Sequence, residues 1–192
     1  MRLLAFFVFG VSLAACQAAP VGPYTALGEG SRSTTEAEAL NRRGADLIQS
    51  DPAEAEVLLR DALTKDLFFG PAHNNLGVVY LAQGKLYEAA NEFEWARKLL
   101  PGNPDPRINL ALCMERAGRT EEARQAYDSA LEVAPESLAA MQGAAVLAVR
   151  ADRDDARLSA WLDAIALRTE DSRWRDWALS RSGRPRRECP ED

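Results

Sequence analysis

The sequence predicts an all-α fold: a solenoid of three to four helix-turn-helix repeats closed by a C-terminal capping helix. Two observations carry that prediction. The stretch from Gly70 to Asn103 aligns without a gap with the equally long stretch from Pro104 to Ser137, 34 residues each, and an internal period of that length is the mark of stacked helix pairs. The two copies are also punctuated alike, with Gly84 matching Gly118 in mid-repeat and Pro101 matching Pro135 near the end. Composition agrees, since 47% hydrophobic and 27% charged residues in a chain of 192 are globular proportions with a sizeable core.

Before the solenoid the chain opens on an export pattern. Arg2 precedes eleven uncharged residues, Leu3 to Leu13 (LLAFFVFGVSL). Such a run is too short to span a bilayer, which takes roughly 20 apolar residues, but suits the apolar core of a signal peptide. Ala14, Ala15 and Cys16 follow. The stretch Leu13 to Cys16 resembles the lipobox of bacterial lipoproteins. That resemblance implies removal of residues 1–15 and acylation of Cys16, where several chains on one residue anchor stably and a single chain does not. With Gln17 and not Asp after the cysteine, it also implies the outer membrane, on the periplasmic face. Losing Arg2 with the signal takes the formal charge from −6 to −7. Residues 16–34, rich in Ala, Gly, Pro and Ser, read as the lipidated cysteine and a flexible tether with a reach of roughly 20–25 Å.

The repeat domain is expected over residues 35–171. A first copy, about 37–69, offers Leu40, Gly44, Leu47, Ala55, Leu59 and Ala62, and Thr35 with Glu38 forms a candidate capping box. Copies 70–103 and 104–137 pair Leu76 with Leu110, Gly77 with Ala111, Ala89 with Ala123, Phe93 with Tyr127 and Ala96 with Ala130. Small residues let paired helices approach, while large ones fill the space between them. Glycine permits the turn inside each pair, and proline closes the second helix. A degenerate copy, 138–171, keeps Met141, Ala145, Trp161 and Ala164 but has Arg157 where the second helix should carry alanine. Residues 172–192 give a last short helix and a polar tail. Ser172 is the expected N-cap, Trp174 and Trp177 form an apolar face three apart, and Gly183 and Pro185 supply the stop. Those indoles fit a cap on the open end of the stack; a partner site or a contact with lipid is the alternative.

At its signature positions, with Tyr80 adding another, this pattern resembles the tetratricopeptide repeat (TPR). The resemblance implies a concave face made by the first helix of each repeat, on which a peptide or a helix of another protein is bound. By register that face holds Asn41, Ala45, Asn74, Val78, Ile108, Leu112, Gln142 and Val146, with Glu115 and Arg116 near the rim. Asn75 is a further groove candidate. Amides can hydrogen-bond an extended backbone and aliphatics can seat an apolar side chain. TPR domains that clamp a C-terminal carboxylate need cations in set places. Here Asn75 and Asn109 occupy the amide positions, but Asn41, Asp105 and Ala139 stand where the cations belong, which argues against that clamp.

Other chemistries find little support. A net charge of −6 argues against nucleic acid as a partner. One histidine, His73, and three cysteines exclude most zinc sites and any dense disulfide scaffold. His73 falls at a packing position, and no phosphate-cradling or activated-nucleophile motif is present, so neither an enzyme nor a cofactor is expected. Cys113 reads as a buried thiol, with pairing to Cys189 left open. Trp95 is either covered by the next element or forms a patch with Tyr87; Phe68 and Phe69 read as core between repeats. Lipobox and TPRs together resemble pilus-assembly lipoproteins, both type IV pilotins and tight-adherence proteins, and also the adaptor lipoproteins that dock peptidoglycan hydrolases. Those resemblances imply an anchored adaptor whose partner is a segment of another envelope protein; the alternatives are a structural lipoprotein that self-associates through its last helix and, against the lack of motifs, an enzyme.

Overall fold

The computed structural model describes residues 32–151 and 155–183. The export signal, Cys16, all but the end of the tether, Pro185 and Cys189 lie outside the described residues. Among the described residues there are nine α-helices and no strand: α1 (Thr34–Leu47), α2 (Pro52–Lys65), α3 (Gly70–Ala82), α4 (Leu86–Leu99), α5 (Asp105–Arg116), α6 (Thr120–Val133), α7 (Leu138–Arg150), α8 (Leu158–Arg168) and α9 (Ser172–Arg181).

Local sequence sets these boundaries. At α2 the Asp51 carboxylate accepts the Glu54 amide hydrogen at 3.0 Å and Pro52 takes a first-turn position where its missing N–H costs nothing. Gly84 and Gly118 turn the chain with φ of 75° and 73°, the left-handed region open to glycine. Close approach fixes the pairs: a Cβ on Gly77 would lie 2.5 Å from the Phe93 ring.

Every helix packs on its neighbours in sequence, and α1 with α3, α3 with α5, and α5 with α7 also touch directly. The first helices of the repeats therefore form one continuous row, and α2, α4 and α6 each pack against the first helices on either side. The core divides into two clusters. One runs from Ala37 through Leu59, Leu76 and Phe93 to Cys113; the other gathers Tyr127, Met141, Trp161, Leu162 and Ile165. Met114 and Ala126 pack against both. On the last pair, α9 lays buried Ala178 and half-buried Trp174 and Trp177 against the second cluster, the two indoles meeting edge to face at 5.4 Å. It closes the stack, as expected of a cap.

Five expectations need correction. The capping box at Thr35 does not form: α1 begins at Thr34, whose hydroxyl instead donates to Asp66 Oδ2 at 2.9 Å. The N-cap of α9 is Asp171 and not Ser172, because its carboxylate reaches the Arg173 amide at 2.9 Å. Arg157 is not inside a second helix. Helix α8 starts one residue later, and the guanidinium turns to Asp155 and Asp128, over the Trp161 ring. Phe68 is 54% exposed, with Arg32 over its ring, while Phe69 alone joins the core. Ile108 packs into the second cluster and is 9% exposed, so it is core and not groove.

Candidate functional site: the face of the first helices

Helical register places the remaining groove residues in rows across α1, α3, α5 and α7. Asn75 Nδ2 donates to Asn41 Oδ1 at 2.9 Å, and Asn109 Nδ2 donates to Asn74 Oδ1 at 3.0 Å, each bond tying one repeat to the next. All four amides are half-buried. Each bond uses one amide hydrogen and one oxygen lone pair, so every amide keeps capacity for a ligand backbone. Position 143, which continues the row, is glycine. The Tyr127 ring fills that space, and a Cβ there would sit 2.2 Å from it.

A second row runs Val78, Leu112, Val146. Val78 and Val146 are half-buried, and Leu112 is 41% exposed, a large apolar side chain presented to solvent. Ala45 and Gln142 are half-buried as well. At the rim the Arg116 guanidinium donates to the Leu81 carbonyl at 2.8 Å, capping the end of α3, and remains exposed. Glu115 accepts the Tyr127 hydroxyl at 2.7 Å and an Arg150 N–H at 3.3 Å. Burial, with the Glu115 carboxylate alongside, pushes the Tyr127 phenol far above its ordinary range, so that hydroxyl is a fixed donor.

The face ends in a cleft of 520 Å³ between α7 and α9. Val146 and Val149 form its wall with Trp174 and Trp177, and Arg150, Arg173 and Arg181 stand around it. The arginines were missed by reasoning from repeats alone. A signal existed, since Arg150 lies one period after Arg116, but the approach of α9 to α7 is not written in the period. A second cavity, of 160 Å³ between α6, α7 and α8, holds Arg124, Asp128, Asp155 and Arg157. Their charges are matched among themselves and with Glu121.

His73 is part of the packing. Its Nε2 donates to the Leu67 carbonyl at 2.8 Å, its Nδ1 lies 2.6 Å from Glu92 Oε2, and Trp95 stacks on the ring with centroids 5.8 Å apart. Trp95 thus finds its partner in the helix before it and stays 40% exposed; Tyr87, at 86%, points to solvent. Cys113 is buried, and burial pushes its thiol up, away from the thiolate a nucleophile needs. Among the described residues no cluster of three or more His, Cys, Asp and Glu is placed to hold a metal, and no helix is long and apolar enough to cross a membrane.

Comparisons with known proteins agree with this architecture. A search of curated protein sequences gives no match. Among solved structures, the first TPR domain of Spaghetti (RPAP3), determined with the HSP90 peptide SRMEEVD, superposes with a TM-score of 0.60 at 17% identity, covering 64% of this chain and 98% of that one. The Sgt2 TPR domain from Aspergillus fumigatus gives 0.59 at 21% identity over 64% and 83% of the two chains. A tetratricopeptide repeat protein from Parabacteroides merdae gives 0.61 at 24% over 76% and 58%. At these identities the likeness is one of fold. Two tetratricopeptide-repeat family models match residues 45–104 and 80–148, together more than half of the chain. With paired helices and glycine turns running through the matched stretch, the chain belongs to the tetratricopeptide-repeat family.

Proposed function

We propose that this protein is a membrane-anchored adaptor that holds a segment of another envelope protein against the face of its first helices. TPR proteins generally mediate protein–protein contacts. The observation that carries the reading here is the pairing of two rows on one face: half-spent amides of Asn41, Asn74, Asn75 and Asn109, and the aliphatic row Val78, Leu112, Val146. The first suits a peptide backbone and the second its apolar side chains. Anchoring rests on the lipobox-like Leu13 to Cys16, and the periplasmic face of the outer membrane on Gln17. A role in assembling a pilus or secretion system is favoured by size and layout; docking of peptidoglycan hydrolases is the other reading of the same parts.

Purification of the full-length protein from crosslinked envelopes tests this. A secretin or pilus component should accompany the wild type and be lost from the L112E/V78E variant, with lipidation and helix content unchanged. Peptidoglycan enzymes in its place would move the protein to the cell-wall class. Equal recovery of partners with both proteins would refute the groove. Cys16→Ser should abolish partition into detergent; if it does not, the anchor is wrong.

A further inference from the structure

We propose that the cleft between α7 and α9 is a selective subsite for an acidic protein segment bearing an apolar side chain. The inference deepens the groove reading and rests on it, because Val146 belongs both to the aliphatic row and to the cleft wall. Three observations converge. Val146, Val149, Trp174 and Trp177 give an apolar seat of 520 Å³. Arg150, 71% exposed, and Arg173, 88% exposed, stand at its edge with Arg181. Their partners within the fold are Glu115 for Arg150, at 3.3 Å, and Asp171 for Arg173, at 2.8 Å. These are water-exposed pairs that an incoming carboxylate can share or displace.

Charge selects the occupant. The chain carries −6 overall, yet three arginines, Arg150, Arg173 and Arg181, gather at this cleft against Glu115 and Asp171, a local excess of positive charge. Such a reversal on an acidic body favours anionic partners and disfavours basic ones. Arginine beside indole also recognises carboxylates with planar, directional donors while the ring takes apolar contact. An anionic membrane would answer to the same charge. The indoles, however, are half-buried against the core, and the seat continues the groove, which favours a peptide.

The test uses the protein with residues 16–192 and Cys16 replaced by Ser, and a fluorescein-labelled, C-terminally amidated peptide of alternating Glu and Leu around one Phe. Wild type should bind it saturably. Binding should fall at least tenfold for R150E/R181E and for Trp177→Ala, and also when every Glu of the peptide is replaced by Gln. Circular dichroism and the thermal midpoint check that the variants fold. A third variant, Arg173→Gln, lies at an exposed site that carries no packing and should weaken binding severalfold if folding spoils the others. Equal binding of the Gln peptide, or no effect of the arginine substitutions, would overturn the subsite. So would loss of binding to phosphatidylglycerol vesicles, and not to peptide, in those variants. L112E/V78E separates the two readings. If it abolishes capture of the envelope partner while R150E/R181E leaves capture and peptide binding intact, the groove stands and the subsite fails.

Discussion

Residue by residue, stability depends on a few contacts that the family pattern does not specify. The Gly143 backbone lies against the Tyr127 ring, where an added methyl would sit 2.2 Å from ring carbons held in a packed core. Gly143→Ala should therefore destabilise by about 1–3 kcal/mol despite alanine's better helix propensity, measured by urea unfolding. Asp66 is the other such residue. Burial raises its pKa, but hydrogen bonds from Arg32, from the Thr34 hydroxyl and from the Phe68 amide outweigh this and hold it below the usual carboxylate range. A depressed folded-state pKa contributes stability that is full above the unfolded value of about 3.9 and is lost as pH falls through the folded one. Wild type should thus lose stability below about pH 4, and Asp66→Ala should both cost about 1–3 kcal/mol at neutral pH and flatten that acid slope. Neither residue was legible in the sequence. Gly143 falls outside the small-residue positions of the repeat, and Asp66 is one acid among many until Arg32 and Thr34 fold back over it.

Whole elements were easier to read than their ends. A period of 34 residues with glycine turns and closing prolines places α3 to α6 within a residue or two. Caps were misplaced at α1 and α9 because several Ser, Thr and Asp residues compete there, and loop geometry decides which side chain reaches an amide. Helix α8 shows a different limit. Its register predicts alanine at 157, but the chain enters the helix only at Leu158, so Arg157 is released to join Asp128 and Asp155. Being half-exposed, that network should matter little, and Arg157→Ala should cost no more than about 1 kcal/mol. Helix α9 should matter much more, since it covers the end of the second cluster through Ala178, Trp174 and Trp177. Ending the chain after Glu170 should speed amide exchange throughout α7 and α8 while leaving α2 to α4 protected, as expected of a stack in which each repeat depends on its neighbours.

Across the whole molecule, the division of the core is the feature that bears on binding. The first cluster belongs to α1 through α5 and the second extends from α5 to α9, while Met114 and Ala126 touch both. The aliphatic row crosses that junction, with Val78 on one side, Leu112 on α5 at the join and Val146 beyond. A segment laid along the row would report on whether the halves move as one body. Met114 is half-buried, so Met114→Ala should cost about 1–2 kcal/mol, less than a fully enclosed methionine. Its effect on cooperativity should be larger than that figure suggests, because nearest-neighbour coupling in a short stack determines whether unfolding occurs in one step or two. Wild type should unfold in urea with coincident fluorescence and circular dichroism transitions. In the Met114→Ala protein the signal from Trp161, Trp174 and Trp177 should separate from the total helix signal, once Trp95 is replaced by Phe in both backgrounds. Coincident transitions in the variant would mean that the two clusters are one folding unit, joined through backbone packing of α5 and not through its side chains.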